Sequence, residues 1–487
     1  MTSPGVPTPM SSKRRGWVRP VALAIGMLAV FAVHFRPWEV GFLEEWPLAN
    51  DWQMNGGWAF LPNYFEIMLS RPLHLFPSLV GLSLAGGAPG GIFLILALVA
   101  AAQVPAVIWA LRPISRSFWL SGAVALFLAL HPLWPGGFLQ RFLPAQVAAL
   151  ALAVAAGLLL RWLQTGRVRR LVWAFVTLLM GFAVYPGPAS VAPRMALTLA
   201  LAVRATWRRR FWAIGAVIAS SAAMTLYSLV ITRLIAPQAT SYELGNIEEA
   251  GVKSVGELVR LIQTTLFAQG QLVLLGIVAV GLLGAILSLT GAVPNWAGWL
   301  MLGVAVASPA SAIVYFGHTG WLSDIDRLGY VISLSLFAAL LVWPLTSTGR
   351  QVRLEAVVAA LLAIVALAGG VRGVQHWQPY VAAQHNLLTA LGPAVQQASG
   401  DEIVVVIDHS GTFGRMSTFP VQYLAHASAV WNEDPTFVWL CFDDPALLPS
   451  GGSLCDVSDT GDNLKLVDTL NVETGTVDIY VGERATN

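Results

Sequence analysis

The chain has 487 residues, of which 56% are hydrophobic and only 11% charged, where soluble domains run near a quarter charged. With 19 tryptophans and a mean hydropathy of +0.67, this excludes an ordinary globular enzyme and indicates a polytopic α-helical membrane protein. Residues 1–376 carry 25 basic and 12 acidic side chains and residues 377–487 carry 3 and 14, so the net charge of +2 joins a basic apolar part to an acidic tail. Such a tail binds no nucleic acid. Two cysteines make neither a zinc-finger array nor a disulfide framework.

A bilayer core takes about 20 apolar residues per helix. On that length about eleven transmembrane spans are expected, at 18–36, 90–111, 118–134, 144–162, 171–187, 189–204, 211–233, 271–290, 297–316, 329–347 and 354–373. A basic N-terminal segment, 1–17, precedes them. The first span follows Lys13, Arg14 and Arg15 and meets no small-residue cleavage site before Arg36-Pro37-Trp38-Glu39, so it is expected to stay as an anchor. The span at 189–204 is short and interrupted by Pro193 and Arg194.

Orientation follows the basic residues. With the N-terminus inside, 16 of the 28 Lys and Arg fall in short inner loops, among them Arg112, Arg161, Arg170, Arg209 and Arg350, and only Glu355 of the acids joins them. An odd number of spans then puts the tail outside. The expected location is the bacterial cytoplasmic membrane, N-terminus inside.

The outer face holds the long connections. The first, about 37–89, carries Glu39, Glu44, Glu45, Asp51, Glu66 and Arg71, and its apolar part from Ile67 to Ala85 is broken by Arg71-Pro72, Pro77 and Gly81. It reads as interfacial or re-entrant helix pieces. A second outer loop, 234–270, has an amphipathic stretch from Val255 to Phe267, and a third runs Gly317 to Arg327. No internal repeat is visible, which counts against an inverted-repeat transporter.

The tail, 377–487, reads as a small extracytoplasmic α/β domain: a helix from Val381 to Ser399, strands at Glu402–Ile407, Thr436–Phe442 and Thr476–Val481, and a helix from Phe419 to Val430. The first strand ends in Asp408-His409-Ser410-Gly411, a catalytic pattern or simply a turn that caps a helix. Cys441 and Cys455 are expected to bond in an oxidising space, with two free thiols as the alternative.

Ionisable groups near membrane depth need a reason. Those at outer ends are Glu44, Glu45, Asp51, Arg71, Arg141, Tyr185, Arg194, His318, Asp324, Asp326 and Arg327. Carboxylates there can take a proton from a hydroxyl, and arginines can hold a phosphate leaving group. The competing readings are a solvated loop with tryptophan anchors for Glu44-Glu45-Trp46, and snorkelling for Arg141 and Arg194. Asp324-Ile325-Asp326 has the spacing of a weak metal-chelating pair, against a local ion pair between Asp326 and Arg327. No cofactor is expected. No phosphate-binding loop, dinucleotide fingerprint or nucleophile elbow is present.

The layout resembles the GT-C glycosyltransferases, over about 30–345. Gly41-Phe42-Leu43-Glu44-Glu45-Trp46-Pro47-Leu48 stands directly after the first span, where members of that family carry an acidic catalytic base. Leu69-Ser70-Arg71-Pro72-Leu73 resembles a segment of bacterial O-antigen glucosyltransferase-like members, and Phe182-Ala183-Val184-Tyr185-Pro186 and Asp326-Arg327-Leu328-Gly329-Tyr330 are similar to family positions too. The resemblance implies a polyprenyl-phosphate sugar as donor, an envelope glycan or lipid as acceptor, and inversion at the anomeric carbon. Glu45 or Glu44 would be the base, with Asp51 orienting or replacing it. Arg71 and Arg327 would neutralise the lipid phosphate, and Tyr185 would position sugar or phosphate. The rivals are a transporter or flippase for a lipid-linked or anionic solute, and a non-catalytic envelope assembly protein.

Overall fold

A computed structural model describes residues 15–36, 45–59, 61–64, 69, 71–115, 117–138, 142–235, 254–268, 270–319, 325–399, 402–410, 421–434, 436–442, 444–446, 455, 464–472 and 475–483. The bundle and its caps consist of α1 (Arg15–His34), α2 (Glu45–Asn55), α3 (Phe76–Leu84), α4 (Gly90–Leu111), α5 (Phe118–Leu130), α6 (Leu143–Thr165), α7 (Val168–Val184), α8 (Ala192–Ala202), α9 (Trp207–Leu226), α10 (Val255–Ala268), α11 (Gln271–Leu289), α12 (Asn295–Val306), α13 (Ala310–Thr319) and α14 (Ile325–Thr346). A long helix, α15 (Val352–Gln397), leads from the bundle into the tail.

A helix stands at each of the eleven expected positions, yet among the described residues six are long and apolar enough to cross a membrane: α1, α4, α6, α11, α14 and α15. The pair α12 and α13, bent by 42°, would make a seventh. The shortfall has local causes. The helix α5 stops after 13 residues because His131 turns left-handed, with φ 40°, just before Pro132. In α8 a 3₁₀ turn at Gly187–Ser190 takes the first part of the expected span and leaves 11 residues. Charge does the same to α9, whose first turn is Trp207-Arg208-Arg209-Arg210.

An 18-residue window of α14 is entirely buried, which makes it the central helix. The outside of the bundle is apolar: Leu28, Met180, Ile218, Leu282, Trp299 and Leu361 are all exposed. Water opposes so continuous an apolar surface, and lipid tails do not.

The two ends of the bundle differ. At one end, arginines take up the carbonyls that helix C-termini leave unpaired. Arg161 donates to the Trp109 carbonyl at 2.7 Å while its guanidinium lies 3.8 Å from the Trp109 ring centre. Arg209 donates to the Gln164 carbonyl at 2.8 Å, and Arg170 to the Arg161 carbonyl at 3.1 Å. This is the arginine end.

At the opposite end a second hydrophobic core forms, shared with the tail. Trp46, Leu48 and Ala49 of α2 and Leu79 and Leu82 of α3 belong to the same cluster as Leu387, Val404, Leu424 and Ile479. The amphipathic helix α10 begins with a capping box, in which the Ser254 N–H donates to the Glu257 carboxylate at 2.9 Å and the Glu257 N–H to the Ser254 hydroxyl at 3.2 Å.

The helix α15 has 46 residues and passes through position 377 without a break, so the last expected span and the expected helix at 381–399 are one element. At about 1.5 Å per residue it is about 69 Å long. Beyond it come β1 (Glu402–Asp408), α16 (Val421–Asn432), β2 (Val438–Phe442), β3 (Lys465–Val472) and β4 (Gly475–Glu483). The strands form one sheet in the order β2-β1-β4-β3. Strands β1 and β2 are parallel, with Val404 opposite Val438, and the crossover between them includes α16; the other pairings are antiparallel. Val404 and Val406 face the shared core, while Val405 and Cys441 face the disulfide side.

Candidate functional site

The residues that the sequence spreads over the outer loops meet at the end of the bundle nearest the sheet. The chain after residue 70 is tied to the C-terminus of α7: Leu73 N–H donates to the Ala183 carbonyl at 3.1 Å, and His74 Nδ1 donates to the Val184 carbonyl at 3.1 Å. That fixes Arg71 beside Tyr185, with its guanidinium carbon 5.8 Å from the ring centre, within cation–π reach. Both side chains are buried.

Tyr185 bonds hydroxyl to hydroxyl with Tyr315 of α13, at 3.2 Å. Arg327, buried in the first turn of α14, and Arg71 are both near enough to act electrostatically on the Tyr315 hydroxyl. Tyr330, one turn further along α14, packs its ring 5.6 Å from that of Tyr185 and donates to the Ala145 carbonyl at 2.9 Å. Arg71, Tyr185, Tyr315 and Tyr330 therefore come together from four segments, and Arg327 stands one turn before Tyr330 on α14. Gly187 closes the cluster, because a Cβ there would lie 2.8 Å from the rings of both Tyr185 and Tyr330.

The acidic residues are carried by α2, which packs against α3 and the tail at the same end of the bundle. Glu45 is buried in the first turn of that helix, where the positive end of the helix dipole favours a carboxylate. Asp51, a turn and a half later, accepts a hydrogen bond from the Tyr64 hydroxyl at 2.9 Å. Burial, and then the bond to Asp51, push the Tyr64 phenol above its ordinary value, so it stays a donor. Asn50 Nδ2 donates to His426 Nδ1 at 2.9 Å, which fastens α2 to α16 of the tail.

Other expected residues lie elsewhere. Arg194 points into the bundle and donates to Ser335 at 3.3 Å, two turns deeper along α14 than Arg327. His318 is in α13 and Asp326 in the first turn of α14, but their side chains lie outside the described residues, as do Glu44, Arg141 and Asp324 altogether. Among the described residues no group of three or more His, Cys, Asp or Glu is placed to hold a metal. At the end of β1 the Ser410 hydroxyl donates to Asp408 Oδ1 at 2.7 Å, and the Ser410 N–H to the same oxygen at 2.8 Å. His409 instead lies 3.3 Å from Asp478. That is a carboxylate-closed turn rather than a nucleophile facing an imidazole. Cys441 and Cys455 form a disulfide with their Cα atoms 5.0 Å apart.

Sequence reasoning missed Tyr315 and Tyr64, and carried Tyr330 only as the end of the segment Asp326 to Tyr330. It also missed a buried chain in which Gln103 donates to Gln146 at 2.7 Å, His131 Nε2 donates to the same oxygen at 3.1 Å, and Gln146 donates to the Gly137 carbonyl at 3.0 Å. The signal was available, since a polar tip inside an apolar span requires a partner. Neither a scan against protein-family models nor a search of curated proteins found a match for this chain.

Proposed function

We propose that the protein is a GT-C-type glycosyltransferase of the bacterial cytoplasmic membrane, with its N-terminus inside and its α/β tail outside, the eleven helices crossing in alternation. It takes a sugar from a polyprenyl-phosphate donor and passes it to an envelope glycan or lipid. The observation that supports this reading is Arg71 held over Tyr185, itself hydroxyl-bonded to Tyr315, with Arg327 buried in the first turn of α14 and Glu45 and Asp51 carried by α2 at the same end of the bundle.

Buried guanidiniums with phenol donors suit a phosphate monoanion or dianion. In the step proposed, the acceptor hydroxyl gives its proton to Glu45 and its oxygen bonds to the anomeric carbon. The bond from that carbon to the phosphate oxygen breaks, and its electron pair leaves on polyprenyl phosphate beside Arg71 and Arg327. Attack opposite the leaving group inverts the configuration.

The test is incubation of purified protein with a panel of polyprenyl-phosphate sugars, scored for free polyprenyl phosphate. Glu45→Gln should keep donor binding and lower turnover by about 10²–10⁴-fold. Arg71→Ala should weaken donor binding itself. A panel without turnover and without Arg71-dependent binding would defeat the assignment. One observation favours the transporter reading instead, the 42° break between α12 and α13. Flux of a lipid-linked sugar across vesicles with no consumption of donor would establish that alternative.

A further inference from the structure

Two adjoining cavities open toward the arginine end. The first, about 460 Å³, has a mixed lining and lies between α1, α4 and the start of α5, with Arg19, Arg112, Ser115, Ser117 and Ser121 as its polar wall and Leu23, Ile108 and Phe118 as its apolar one. The second, about 450 Å³, is apolar and runs between α1, α4, α5 and α15, where Gly26, Gly122, Ala356 and Ala360 form its walls. Leu23, Ile108 and Phe118 line both, so the arginine-lined chamber and the apolar groove adjoin along these three side chains. Along α1 the step from Arg19 to Gly26 is seven residues, or about 10 Å.

We infer that this adjoining pair is a binding site for one anionic glycerophospholipid of the leaflet at the arginine end. It holds the phosphate head between Arg19 and Arg112 and an acyl chain in the groove. The charges select the head: both arginines are exposed at the rim, and the first turn of α5 adds its positive end, with Ser117 as N-cap. The groove selects the tail, because the Gly and Ala among its apolar walls leave a gap where packed helices would interlock. At Gly122 an added Cβ would meet no atom within 4 Å, which marks open space rather than a tight crossing. Only 11% of the α1 span is buried by protein. A bound lipid supplies the contacts that α1 lacks toward α15. This inference rests on the membrane reading and is independent of sugar transfer.

Native mass spectrometry of the full chain, delipidated in detergent, tests it. Phosphatidylglycerol and phosphatidylcholine with the same acyl chains are added separately, and glycerol 3-phosphate serves as the headgroup without tails. One phosphatidylglycerol should be retained well above phosphatidylcholine. Arg19→Gln and Arg112→Gln, both at exposed positions, should each weaken its retention by about fivefold. Gly122→Leu should fill the groove and reduce retention of the lipid, with thermal unfolding confirming that the variant is folded. Equal retention of the two lipids, or indifference to both arginine variants, overturns the site. Full displacement of the lipid by glycerol 3-phosphate overturns the lipid as occupant. Retention is read without any donor sugar, so failure here leaves the transferase reading standing, and the reverse holds too.

Discussion

The bond from Tyr64 to Asp51 ties the 3₁₀ turn at Leu61–Tyr64 back onto α2, and Tyr64→Phe removes it while keeping the ring. A hydrogen bond to a charged group contributes about 1.5–3 kcal/mol, and both partners here are only half-buried, so the low end applies. A loss of about 1.5 kcal/mol raises local opening by about tenfold. Amide hydrogen exchange by mass spectrometry should therefore show peptides covering Glu45–Asn55 exchanging about tenfold faster in the variant, with α14 unchanged. The pH dependence has a fixed sign. The folded phenol titrates above the ordinary value of about 10, so its contribution is complete below that pH and is lost as pH rises past it toward the folded value. Asp51→Asn should produce a similar acceleration, and the double variant should be scarcely worse than either single one. Exchange that changes less than about twofold, or effects that simply add, would refute the reasoning.

Three further outcomes are expected. Gly187→Ala puts a methyl carbon 2.8 Å from two tyrosine rings, so it should cost about 1–3 kcal/mol in thermal unfolding; a neutral result would mean that the ring cluster is looser than described. Replacing Cys441 and Cys455 together by Ser opens a loop of 14 residues and should destabilise the tail by about 3 kcal/mol, seen as faster limited proteolysis after position 400, with the bundle intact. A reporter fused after Asn487 should be active only outside the cytoplasm, and cytoplasmic activity would overturn the proposed orientation.

The parts of the candidate site legible in the sequence were those where charge meets an apolar run. Arg71, Tyr185 and Arg327 stand at helix ends, and their conspicuous chemistry marked them one by one. Their meeting was not legible, because it depends on two long-range bonds from Leu73 and His74 to the end of α7. Tyr315 was hidden inside an apolar stretch, where an aromatic ring reads as core. In the tail, β1 was plain from its β-branched run, but β3 was not. Its residues are mostly exposed and follow no inward alternation, since it is an edge strand held by β4 alone. The last span and the tail helix read as two elements, yet α15 runs through both, with Pro379 and Pro393 inside it.

That continuity has a mechanical consequence. A rod about 69 Å long that tilts by about 5° sweeps its far end through about 6 Å, more than one helical turn. The far end of α15 shares a core with the sheet, and α16 of the tail grips α2 through Asn50 and His426. Rocking of α15 against its neighbours would therefore be magnified at the short helix that carries Glu45 and Asp51. The tail is thus geared to the bundle, and a force on either one is transmitted as a displacement of the carboxylates between them.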